Sequence, residues 1–100
     1  MNAKLTLPIE KIEKFCLKWN IVEFSLFGSI LRDDFEPESD IDILISLSEK
    51  ADLDLYDWIT MIKELEGIFG REVDLVEKST LRNPFRRHSI LTNREIIYAS

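Results

Sequence analysis

One cysteine, Cys16, and one histidine, His88, are all the thiol and imidazole chemistry this 100-residue chain holds. A lone thiol excludes an intrachain disulfide, and with a lone imidazole it excludes a Cys/His zinc cluster. Long apolar runs are missing too. The longest, Ile96 to Ala99, cannot span a membrane as a helix. The opening Met1-Asn2-Ala3-Lys4-Leu5-Thr6 lacks the apolar stretch of a signal peptide. These shortages point to a cytoplasmic protein. Glycine and proline number three each, and no repeat, linker or low-complexity stretch occurs. The chain is 45% apolar and 32% charged, the balance of a soluble globular protein. Its length suits one domain, residues 1–100. Such a domain buries roughly 60–65% of its unfolded surface, enough for one small core.

Basic charge is nearly absent from a large part of the chain. Residues 1–77 hold 8 basic and 18 acidic side chains, whereas residues 78–94 hold five basic and no acidic ones. Those five are Lys78, Arg82, Arg86, Arg87 and Arg94. An acidic body repels a phosphate backbone, which argues against nucleic acid as a direct substrate. The basic tail suits a triphosphate or an acidic partner.

Periodicity supplies the elements. Ile9, Ile12, Cys16 and Trp19 recur at helical spacing, with Pro8 at the first turn and Asn20 at the stop. Val22, Phe24 and Leu26 alternate with Glu23 and Ser25, which predicts a strand that Gly28 breaks. A short helix opens after Gly28. Asp40 to Ser46 predicts a second strand, with Ile41, Ile43 and Ile45 on one face and Asp40, Asp42 and Leu44 on the other. Leu55, Trp58, Ile62, Leu65 and Phe69 form the strongest helical stripe, capped by Asp52 or Asp54 and closed by Gly70. Glu72 to Val76 predicts a third strand, Asn83-Pro84 a helix start, and Glu95 to Ala99 a final strand. The fold class is therefore α/β (α+β): a small mixed sheet with helices mainly on one face and a parallel crossover from Asp40 to Val76.

Two acids two residues apart on a strand share a face, about 6.6 Å apart along it. Asp40 and Asp42 meet that condition, and Asp74, flanked by core-facing Val73 and Leu75, turns the same way. Three carboxylates on one sheet face do not all stay ionised without a cation. Mg²⁺ takes oxygen ligands and substrate phosphates, and two such ions about 3.5–4 Å apart clamp an in-line phosphoryl displacement. Upstream, Gly28 admits close backbone approach and Ser29 offers a hydroxyl at a helix start, which together suit a phosphate. Arg32 lies one turn on and can reach the same anion. Trp19, Trp58 and Phe69 read as core, Cys16 as a small buried residue, His88 as part of a solvated basic face and Tyr98 as edge packing.

Phe27-Gly28-Ser29-Ile30-Leu31-Arg32, Ser39-Asp40-Ile41-Asp42-Ile43-Leu44-Ile45 and Arg71-Glu72-Val73-Asp74-Leu75-Val76 resemble the minimal nucleotidyltransferases of the DNA polymerase β superfamily. The resemblance is strongest to those encoded beside HEPN-domain toxins in bacteria and archaea, and it extends to Arg94-Glu95-Ile96-Ile97-Tyr98. It implies that Gly28 and Ser29 bind nucleotide phosphates. It implies that Asp40 and Asp42 hold two Mg²⁺ and that Asp74 binds the ion activating an acceptor hydroxyl. Family members often have glycine after the arginine; here Asp33 and Asp34 follow Arg32 and compete for its charge.

The resemblance implies transfer of AMP from ATP to a hydroxyl, a tyrosine on a partner HEPN toxin, by an antitoxin of a toxin–antitoxin pair. One hundred residues leave no room for polymerase fingers or thumb. A free small-molecule transferase would usually carry a substrate-binding domain, whereas a minimal core needs its acceptor delivered. The alternative is a non-catalytic antitoxin that neutralises by contact, with a vestigial nucleotide site.

Overall fold

The computed structural model describes residues 7–31 and 39–100, apart from the side chain of Ser29. Arg32, with Asp33 and Asp34, lies outside the described residues. Four strands form one mixed sheet in the order β3-β2-β1-β4.

Helix α1 (Ile9–Lys18) buries Ile12, Phe15 and Cys16. Its inner stripe is rotated from the expected one: Ile9 is 42% exposed and Phe15 only 4%. The Phe15 ring meets Phe24 edge-on, with centroids 6.4 Å apart, and that contact sets the rotation. Asn20 ends the helix at φ 57°, a left-handed conformation that asparagine tolerates.

Strand β1 (Ile21–Phe27) follows. It is buried on both faces from Phe24 to Phe27 rather than alternating, because it lies between β2 and β4 and is covered above and below. A 3₁₀ turn, Gly28–Leu31, leaves it. Strand β2 (Ile41–Leu47) pairs antiparallel with β1, with Phe27 opposite Asp42 and Ser25 opposite Leu44. Ile41, Ile43 and Ile45 are at most 1% exposed and join the core formed with α1 and α2.

Helix α2 (Leu55–Phe69) opens with a capping box. The Asp57 N–H donates to Asp54 Oδ1 at 2.8 Å, and the Asp54 N–H donates to Asp57 Oδ2 at 3.2 Å. Gly70 closes it at φ 69°. Met61 and Leu65 are fully buried, with Trp58, Ile62 and Phe69 packed beside them. Leu55, expected on the stripe, is 73% exposed, because the first turn lies beyond the core contact.

Strand β3 (Val73–Glu77) pairs parallel with β2, so β2, α2 and β3 form the expected crossover. A 3₁₀ turn, Lys78–Thr80, leads toward helix α3 (Pro84–Thr92), where Asn83 Oδ1 accepts from the N–H of Phe85 and Arg86. Strand β4 (Glu95–Ala99) pairs antiparallel with β1. Tyr98 packs against the main core.

Helices α1 and α2 therefore cover one face of the sheet. The other face carries a smaller cluster of Phe27, Leu44, Leu81 and Ile90, through which α3 is attached. Asp42 alternates with Ile41 and Ile43 along β2, so it shares this second face with Leu44.

Candidate active site

β1 delivers Gly28 to the end of the sheet at φ +77°, a backbone conformation that favours glycine. A Cβ at this position would lie 2.1 Å from Asp42 Oδ2 and 3.1 Å from its Cγ. The carboxylate thus occupies the space that a side chain at position 28 would need. Two separate constraints, conformation and contact, call for glycine here.

The parallel register places Asp42 directly beside Asp74. Phe27-Gly28, Asp42 and Asp74 accordingly lie in a row across three neighbouring strands, spaced by about 4.8 Å per strand. Asp42 is half-buried, and Asp74 is exposed on the outer strand. Asp40 sits just ahead of β2 and is exposed. Ser29 lies in the 3₁₀ turn that starts at Gly28. Of the expected site residues, the sheet brings Gly28, Asp42 and Asp74 together, with Asp40 one alternation from Asp42.

Among the described residues, no three His, Cys, Asp or Glu side chains are grouped closely enough to hold a metal ion unaided. The donors present are hard carboxylate oxygens. They fit Mg²⁺, which is commonly held by one or two carboxylates together with substrate phosphates.

Two cavities flank the row. One, of about 460 Å³, lies on the β1 side and is lined by Phe27, Gly28, Leu31, Ser89, Ile90 and Asn93. The other, of about 520 Å³, lies on the β3 side and includes Asp74, Trp58, Thr80 and Arg86. α3 contributes to both, through Asn93 at its end and Arg86 near its start. Sequence reasoning missed Ser89, Asn93 and Thr80. An asparagine closing a helix looks like a cap, and Asn93 Nδ2 does donate to Ser89 O at 2.9 Å.

The basic segment is less free than its composition implies. Lys78 Nζ lies 3.7 Å from Glu23 Oε1, and Arg94 hydrogen-bonds the same oxygen. Arg87 donates to the Lys78 carbonyl at 3.2 Å. Lys78, Arg87 and Arg94 therefore brace α3 and β4 against the sheet, and Arg82 and Arg86 remain exposed.

Burial, aided by Glu13, pushes the Cys16 thiol up to about 12, which keeps it protonated and inert. At Glu64 burial acts upward, but hydrogen bonds from Lys18 and Trp19 and the Lys18 charge bring the carboxyl below its usual value.

Comparison with known proteins agrees with this geometry. Residues 9–97 match the family described as nucleotidyltransferase domain. The chain is 32% identical over 81 residues to the protein adenylyltransferase MntA of Thermococcus cleftensis, covering 81% of this chain and 77% of that one. A crystal structure of a toxin–antitoxin with AMP-PNP superposes with a TM-score of 0.75 at 22% identity, covering 94% of this chain and 75% of its own. The MNT antitoxin bound to a tri-AMPylated Shewanella oneidensis HEPN toxin gives 0.66 at 20% identity, over 92% and 70%. Both structures share the fold. With its glycine turn against one aspartate and that aspartate beside another, the chain belongs to the nucleotidyltransferase family.

Proposed function

We propose that this chain is an Mg²⁺-dependent protein adenylyltransferase that moves AMP from ATP to a tyrosine hydroxyl of a HEPN-family toxin and so acts as its antitoxin. The observation that carries the reading is the row of Gly28, Asp42 and Asp74 across adjacent strands. The relative named protein adenylyltransferase supports the reaction type. The neighbour bound to an AMPylated HEPN toxin supports the partner class.

The backbone at Gly28 and Ser29 receives the nucleotide phosphates, since the glycine lets that turn lie directly against the Asp42 carboxylate. Two Mg²⁺ would be held by Asp40, Asp42 and Asp74 together with those phosphates. When bound, the ions neutralise phosphate charge and make the acceptor hydroxyl a better nucleophile. Arg32 belongs to the phosphate side of the site in this reading. Asp74, on the outer strand, marks the side from which the acceptor arrives. The acceptor oxygen bonds to the α-phosphorus, the bond to pyrophosphate breaks, and the hydroxyl proton leaves to solvent.

The test is incubation of the chain with ATP, Mg²⁺ and the product of its adjacent gene, followed by intact-mass spectrometry. A mass gain of whole AMP units on the partner is expected. An unmodified partner whose toxicity is nevertheless blocked would support the occluding alternative.

A further inference from the structure

β3 is an outer strand, and no described strand pairs with its far edge. The Ile41 N–H donates to Glu72 O at 3.0 Å. In a parallel ladder this directs the backbone of Asp74 and Val76 toward β2 and that of Leu75 and Glu77 outward. The cavity of about 520 Å³ runs beside this edge, touching Asp74 through Glu77 along the strand and reaching Trp58 and Arg86. The helix starts that flank it are unusually apolar: Leu55 is 73%, Tyr56 82% and Phe85 85% exposed.

We propose that the acceptor enters as an extended polypeptide segment laid along the outer edge of β3. Its main chain bonds to Leu75 and to the N–H of Glu77, whose carbonyl already accepts from Thr80 Oγ1 at 2.7 Å, and its hydroxyl-bearing side chain reaches Asp74. The proposal rests on the transferase reading and says how the acceptor is presented. An open strand edge offers a repeating row of N–H and C=O groups that recognises a main chain rather than a small molecule. The groove is continuous with the acid row through Asp74, so its occupant stands next to the reaction. A triphosphate does not suit it, because Asp54, Asp74 and Glu77 all line it. Arg86 is the one cation among the described residues that line it, and it fits an acidic side chain on the arriving segment.

The experiment measures amide hydrogen exchange by NMR on the full chain, alone and with the adjacent gene's product. It is combined with acceptor kinetics of Arg86→Glu and Tyr56→Ser/Phe85→Ser. The proposal expects exchange at Leu75 and Glu77 to slow at least about tenfold in the complex. It expects the acceptor KM to rise by about tenfold or more in the variants, with the KM for ATP unchanged. A partner that is AMPylated while both amides exchange as before, with wild-type acceptor KM in the variants, overturns the proposal and leaves the transferase reading standing. Protected amides without AMP transfer sink the transferase reading and keep the docking edge. Protection in the chain alone that grows with its own concentration means two copies pair edge to edge, and this also overturns the proposal.

Discussion

Gly28 and Gly70 make a matched pair. Their φ angles are +77° and +69°, yet a Cβ at Gly70 meets nothing within 4 Å while one at Gly28 meets Asp42 Oδ2 at 2.1 Å. An alanine at either site costs roughly 1–2 kcal/mol for the left-handed backbone. Only Gly28→Ala also displaces the carboxylate. Urea denaturation should therefore show a loss of about that size in Gly70→Ala with transfer retained, while Gly28→Ala loses transfer even where it is folded. Asp74 allows a sharper separation. Asp74→Asn should bind ATP normally and lose kcat, because its contribution is expressed mainly in the transition state. Calorimetric ATP binding beside single-turnover rates checks this, and equal loss of both would make Asp74 a ground-state nucleotide ligand. Glu64 predicts a pH effect. Its folded carboxyl titrates below the ordinary 4.5, so its stabilising contribution is full above that pH and is lost as pH falls through the folded value. Glu64→Gln should lower stability at pH 7 and flatten the melting temperature's dependence on pH below about 4.5.

Secondary-structure elements were legible wherever the signal is local. Asp54, Gly70, Asn83 and Asn20 bond or bend within their own turn, so residue type and position point to them, although Asp52 was an equal candidate for the cap that Asp54 forms. Asp54→Ala should cost about 1 kcal/mol through loss of the capping box, readable as a lowered urea midpoint at unchanged slope. The stripes failed at their ends. Ile9 and Leu55 have helical spacing but stay 42% and 73% exposed, because what a terminal turn touches depends on elements distant in sequence. β1 misled for a related reason. Alternation assumes one wet face, and a strand with neighbours on both edges and cover on both faces has none between Phe24 and Phe27. The apparent freedom of the basic segment dissolved in the same way, since Glu23 lies 71 residues from Arg94.

At the scale of the molecule, strand order does the sorting. β1 ends at the Gly28 turn, β2 holds Asp42, and β3 presents Asp74 on the outer strand, with one cavity on either side. The two-residue period of a strand was enough to put Asp42 on the face it shares with Leu44, since it needs no tertiary information, whereas Asp40 lies just ahead of β2 rather than on it. The neighbouring of Asp42 and Asp74 followed from the crossover between parallel strands. The cavity walls were not legible, since Asn93 and Arg86 reach them only through the packing of α3 on Phe27 and Leu44. Among the described residues no helix is long and apolar enough to cross a membrane. In the proposed reaction this row of residues transfers a nucleotidyl group. Its most direct test is to incubate the chain, Mg²⁺ and the adjacent gene's product with ATP labelled at either the α- or the γ-phosphorus. The expected result is that α-label joins the partner, that γ-label does not, and that Asp42→Asn abolishes the transfer while leaving the fold intact. Equal labelling by wild type and Asp42→Asn, or label arriving from the γ position, would contradict it.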